Sequence, residues 1–278
     1  MKIYNAYLIK SATLLAIDAD SRPDGIEAGD VIFGDIQADA YYVDNSHPLR
    51  SVGDKVFTSF GFNDSLLTKS PIYDAADDGY IVLEANGALA IERTQENFAG
   101  PAAFNLINED GSAIEALRTL GTKAGTGLNG AYVYADAATR IDLINLVGDS
   151  LESNSFNRVS EGNVANDKLF GSVAHDYFLY DTALGLDLGQ DVLLDLSSGD
   201  TIVTTTALWD GNRDGVIEFG SNRMLDLPGA FGGARSDESR HPGGQVVFEE
   251  GITALIYAGS QTVGAHTYYY YDATSAGQ

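Results

Sequence analysis

The chain repeats itself, and the repeat limits what it can fold into more tightly than anything else in the sequence. Phe33-Gly34 recurs as Phe170-Gly171, and Asp39, Asp44 and Asp54 recur as Asp176, Asp181 and Asp191 at the same constant spacing. After a slip of one position, Asp64, Asp74, Asp78-Gly79 and Ile81 recur as Asp200, Asp210, Asp214-Gly215 and Ile217. The match extends upstream to Arg22, Gly25 and Asp30 against Arg158, Gly162 and Asp167. Downstream it reaches Tyr132, Tyr134 and Asp136 against Tyr268, Tyr270 and Asp272. Ordered matches of this kind predict an internal duplication, with one domain over residues 1–139 and a second over residues 140–278.

The local pattern predicts a mainly β chain. Short runs such as AYYV, KVFTSF, YIVLE and AYVY, and in the second half DYFLY, DVLLDL, DTIVTTT, GVIEF, QVVF and TYYYY, are β-branched or aromatic. They are bounded by Gly, Asp and Asn. Strands at this spacing without long helical intervals predict two tandem homologous β-rich domains, sandwich or solenoid-like, with few short helices. One helix is predicted over 113–120, behind a capping box at Ser112 and Glu115, and one over 140–151, where Ile141, Ile144, Val147 and Leu151 share helical spacing. Residues 97–110 and 228–244 carry little pattern, and the latter reads as a mobile loop or a contact loop.

Forty acidic residues against sixteen basic ones leave a formal charge of −24. Phosphate backbones and anionic membranes are repelled by such a chain, so no nucleic-acid partner is expected, whereas cations are attracted. There is no cysteine, which excludes disulfides and thiolate metal sites. No apolar run is long enough for a membrane span. The N-terminal stretch reads as part of the fold, with a signal peptide as the alternative.

Asp210-Gly-Asn212-Arg-Asp214-Gly215-Val216-Ile-Glu218 follows the opening of a calcium loop, D-x-[DN]-x-[DN]-G. Alternate side-chain oxygens there converge on one hard cation, Gly215 allows the sharp turn, and Val216 offers its carbonyl. Ser221 stands where an EF-hand has its bidentate Glu, so Glu218, water or a neighbouring strand supplies the remaining oxygens. In the first half Asp74 and Asp78 keep the frame, and Ala76 replaces Asn212. Gly125-x-Gly127-x-x-Gly130 matches a dinucleotide fingerprint only formally, because a strand-like run follows it, and it reads as a turn. His47, His175, His241 and His266 are scattered, with no H-E-x-x-H and no G-x-S-x-G, so the chain is expected not to be an enzyme.

Gly34-x-x-x-Ala38-Asp39-x-Tyr41 and Gly171-x-x-x-His175-Asp176-x-Phe178 resemble the last turn of RTX, or hemolysin-type, calcium-binding repeats. Asp191-Val-Leu-Leu-Asp195-Leu-Ser-Ser-Gly199-Asp200-Thr-Ile202 is similar to the run that flanks those repeats. The resemblance covers about fifty residues per half, without the tandem nonapeptides. It implies type I secretion with an uncleaved C-terminal signal, and calcium-coupled folding outside the cell.

The expectation is therefore a secreted, Ca2+-stabilised structural protein that self-assembles at or outside the bacterial cell surface, as a filament, surface layer or matrix. A calcium-dependent adhesin that grips a glycan or host surface through its tyrosine-rich face or through residues 228–244 is the alternative, and an extracellular hydrolase the third.

Overall fold

Strands and turns alternate along the described chain, which in this computed structural model comprises residues 3–5, 13–17, 30–34, 38–46, 53–91, 102–122, 130–147, 157–219, 222–228, 243–248 and 251–275. The chain divides into two units, Met1–Ala138 and Thr139–Gln278. The first holds β1 (Ile3–Asn5), β2 (Thr13–Ile17), β3 (Asp30–Phe33), β4 (Asp39–Val43), β5 (Lys55–Thr58) and β6 (Ser65–Thr68). It continues with β7 (Tyr80–Val82), β8 (Ala88–Leu89), β9 (Phe104–Ile107), β10 (Ala116–Thr122) and β11 (Tyr132–Asp136). A helix, α1 (Ala138–Val147), leads into the second unit. There follow β12 (Asn157–Glu161), β13 (Lys168–Phe170), β14 (His175–Tyr180), β15 (Gln190–Leu194) and β16 (Thr201–Thr204). The unit ends with β17 (Val216–Glu218), β18 (Met224–Asp226), β19 (Gln245–Phe248), β20 (Ile252–Val263) and β21 (His266–Ser275).

Of the two architectures that the strand spacing allows, each unit takes the coil. The first unit has sheets ordered β1-β3-β5-β9-β8 and β2-β4-β6-β11-β10-β7, and the chain crosses between them at every step from β1 to β6. Val31 pairs with Val56 and Tyr41 with Leu66, both in parallel, so the two sheets advance by the same length of chain per rung. The second unit repeats this with orders β13-β15-β19-β18 and β12-β14-β16-β21-β20-β17. Its parallel pairs, Leu169 with Leu193 and Phe178 with Ile202, also share one step, shorter than that of the first unit by a single position. Parallel neighbours need a crossover, and here the crossover is a strand of the opposite sheet. Each unit closes with antiparallel strands, β10 on β11 and β20 on β21.

Alternation places one face of each strand between the sheets. In β4 and β5 every second residue is buried, which brings Tyr41 edge-on to Phe57 at 5.1 Å. Phe104 extends the same cluster at 5.1 Å from Phe57. In the second unit Phe178, Tyr180, Leu193, Ile202, Val246 and Phe248 are buried on the corresponding strands. The opposite face of β14 and β16 is apolar as well. There Leu143 of α1 joins Val159, Leu179, Val203 and Tyr268 in a second cluster. The Tyr268 hydroxyl donates to the Thr139 carbonyl and ties the helix to the sheet. No helix among the described residues is long and apolar enough to cross a membrane.

Three sequence expectations are corrected. Residues 113–120 do not form a helix: Ser112 lies in a tight turn and Ala116–Thr122 is the strand β10, because Leu117 and Leu120 are buried by sheet neighbours. Residues 97–110 contain a strand, β9, whose short run FNLI cannot show a period. The alignment of the halves also shifts. The sheet registers pair Phe33 with Thr58 and Phe170 with Leu194, so Lys55, not Asp54, holds the place of Asp191. Likewise the hydroxyl of Tyr134 accepts the Ile72 N–H, and that of Tyr271, not Tyr270, accepts the Leu208 N–H. The expected features within residues 123–129 and 229–242 lie outside the described residues.

These two tyrosine hydroxyls each satisfy a buried backbone donor. Tyr134→Phe and Tyr271→Phe should each lower unfolding free energy by about 1–3 kcal/mol, the usual cost of stranding such a group. Urea denaturation of the single and double variants checks this, and near-additive losses are expected because the residues share no partner.

Candidate metal loops and a buried carboxylate ladder

The loop between β16 and β17 is built around one carboxylate. Asp210 Oδ1 accepts the N–H groups of Asn212 at 3.2 Å and Arg213 at 2.7 Å, and Oδ2 accepts that of Gly215 at 2.8 Å. The Asn212 amide donates to Asp214 Oδ2, and Asp214 Oδ1 accepts the Val216 N–H. Arg213 and Gly215 both have positive φ, 61° and 83°, which lets successive N–H groups turn inward. The Gly215 hydrogen bond, with those of its neighbours, holds the Asp210 carboxyl below the usual carboxylate range. The loop between β6 and β7 has the same frame: Asp74 accepts from Ala76, Asp77 and Gly79, and Asp78 accepts from Tyr80.

Asp210, Asn212 and Asp214 therefore come together in one exposed turn, as do Asp74 and Asp78 in the other. Val216 lies on β17 in register with Ile256, and Glu218 is exposed at the end of that strand. Among the described residues no group of three or more His, Cys, Asp or Glu side chains converges in a way that could hold a metal ion. The donors themselves suit a hard cation. Asp210 has given three of its roughly four lone-pair sites to backbone N–H groups, and Asp214 two, one to the Val216 N–H and one to the Asn212 side-chain amide, which leaves oxygen available in both. The indole of Trp209 lies against Gly211 at the root of the loop and is 53% exposed.

A second acidic feature is buried. At the start of β4 the Asp39 N–H donates to Asp64 Oδ1 at 2.8 Å, one rung on, and Asp64 Oδ2 accepts the Gly61 N–H at 2.9 Å. The second unit repeats the link, from Asp176 N–H to Asp200 Oδ1 at 2.9 Å and from Ser197 N–H to Asp200 Oδ2. On the other sheet Asp167 N–H donates to Asp191 Oδ1 at 2.8 Å. Asp64, Asp191 and Asp200 are fully buried. Desolvation raises the Asp64 carboxyl to about 8 and the Asp191 carboxyl to about 7, against the lowering effect of these N–H groups. Asp191 Oδ2 and the Tyr180 hydroxyl are buried without a hydrogen bond of good geometry, although each perturbs the other's titration. The aspartates of the repeat are visible in sequence, but nothing in the letters separates buried ones from loop ones.

His175 stands apart from its neighbour Asp176. Its ring stacks on Tyr177 at 4.5 Å, and Nε2 lies 2.8 Å from Thr201 Oγ1. Thr201 in turn donates to Asp272 Oδ1 at 2.8 Å, so the histidine is the donor in the first contact. Register places Ala38, Ser65 and Ala135 at these positions in the first unit, which makes the chain of polar groups specific to the second.

Comparison with family models, with curated proteins and with solved structures finds no match to this chain.

The sign of the Asp64 shift fixes a pH dependence. The unfolded carboxyl loses its proton near pH 4, whereas the folded one keeps it to about pH 8. The folded state thus binds more protons between these values, and stability falls as pH rises through that window. In chelator, urea midpoints should decrease from pH 5 to pH 8, and Asp64→Asn should flatten the decrease. A rising midpoint in the wild-type protein contradicts the assignment.

Proposed function

We propose that this chain is a secreted, calcium-stabilised structural protein that associates with copies of itself at or outside the bacterial cell surface. The observation that carries the reading is the coil laid down twice, with the same strand order apart from β1 among the described residues and the same exposed acidic loop at the same step. Two similar faces in one chain favour head-to-tail contact, and a head-to-tail contact that does not close propagates into a filament or layer. At a formal charge of −24, copies repel one another, and a divalent cation on exposed carboxylates would relieve that repulsion. Asp210, Asn212, Asp214, the Val216 carbonyl and Glu218 are the residues offered to it, with Asp74 and Asp78 as the lesser set. The RTX resemblance supports the same placement and the same ion.

One observation favours a second reading, a calcium-dependent adhesin: Trp209 offers a half-exposed indole beside the acidic loop. An aromatic face of that kind can stack on a sugar ring. Sugar-dependent quenching of Trp209 without any mass change would favour the adhesin.

Light scattering of chelator-stripped protein during a calcium titration tests the first reading, over roughly 0.1–1 mM, where extracellular calcium modules respond. A rise in particle mass is expected, reversed by chelator and weakened in Asp210→Ala and Asp214→Ala. Terbium luminescence sensitised by Trp209, the single tryptophan, reports occupancy of the same loop. No terbium signal and no growth in mass would remove the reading.

A further inference from the structure

The hairpin of β20 and β21 outruns the sheet that carries it. The two strands pair from Ile252 with Ser275 to Val263 with His266, and Gly264-Ala265 forms a tight turn with Gly264 at φ 61°. On its other side β20 meets β17 only at Ala254, Leu255 and Ile256, and the last bond runs from the Tyr257 N–H to the Gly215 carbonyl. Beyond that point no strand among the described residues pairs with this edge. Ala258, Ser260, Gln261 and Thr262 are all exposed.

A two-residue loop closes on a pair that exchanges both backbone hydrogen bonds, here Val263 and His266. Alternation then points the N–H and C=O groups of Ser260 and Thr262 away from β21. The side chains of Thr262 and Thr267 agree, since their hydroxyls meet at 2.9 Å, as facing residues do in a pair without backbone bonds between them. Edges of this length are ordinarily blocked by Lys, Pro or an inward charge. None is present. Residues 252–271 contain no Asp, Glu, Lys or Arg in a chain that is 20% charged. The bulge between Tyr257 and Gly259 sits at the root of the arm and leaves Gly259 to Val263 in regular register.

We propose that residues 258–263 of β20 form a docking edge for the same edge of a second copy of this chain, paired antiparallel about a two-fold axis. Charge selects the occupant. Elsewhere two copies approach with like charge, whereas residues 258–263 bring none of their own, the Asp142 carboxylate at the tip being paired with His266 of β21. An antiparallel match of identical strands gives each outward N–H of one copy a carbonyl of the other. The inference rests on the self-assembly reading and adds to it a second, closed contact that needs no calcium: the pair is the building block, and calcium joins pairs head to tail through the acidic loops.

Sedimentation of the full chain in chelator and in calcium tests it. Wild-type protein should double its mass with concentration in chelator. Thr262→Lys and Thr262→Glu, both on an exposed side chain, should each remain monomeric with unchanged thermal midpoint, and mixing them should restore the pair. A wild-type monomer in chelator overturns the inference, including one that grows in calcium regardless of Thr262 variants, a result that leaves calcium-driven assembly standing. Pairing in chelator that both variants retain also overturns it. Pairing that the variants abolish, with no further growth in calcium, supports the edge and removes the calcium-driven reading.

Discussion

Each coil is held in register by a carboxylate that reaches from one rung to the next. A parallel sheet ladder ends at its strand starts, where the chain has just left a turn and its N–H groups have no strand partner. Asp64, Asp191 and Asp200 supply the missing acceptor from the following rung. The cost is a buried acid. Desolvation is large enough at Asp64 and Asp191 to outweigh the hydrogen bonds that favour the ionised form, so Asp64 keeps its proton at neutrality and Asp191 titrates there. Stacking of rungs, closure of the aromatic core and placement of the exposed loops all follow from strands that start level with one another.

Much of this was legible. Strand runs stand out by composition, and the duplication is legible because the same turn residues return in order. The pairing direction was not. A strand whose partner lies a whole rung away, beyond an intervening strand of the other sheet, leaves no local mark comparable to a hairpin turn. The false helix over 113–120 came from Ser112 and Glu115, which imitate a cap. Its counterpart β20 is a strand, and the duplication itself argued for the same structure in both halves.

The register errors have a physical cause too. Asp54 and Asp191 share a letter, but Asp54 is exposed just ahead of β5, and it is Lys55 that takes the inward place Asp191 holds on β15. Four consecutive tyrosines at 268–271 carry no phase, so which of them matches Tyr134 depends on which hydroxyl reaches Leu208. The acidic loop around Asp210 was legible as a motif because its spacing is local. The buried ladder was not, since its partners are a rung apart.

The corners of the coil absorb length. The one extra position in the rung of the first unit falls between β4 and β5, where it changes no strand's inward face. In the second unit a short rung, from Asn157 to His175, coexists with a far longer one, from Gln190 to Gln245. A scaffold of this kind separates two tasks that most folds entangle. Its strands must keep parity, but its corners can lengthen, shorten or carry inserted sequence without disturbing the layers beneath. Diversification of such a protein therefore proceeds by rewriting corners, and foreign segments grafted there would be displayed along a line set by the rung spacing.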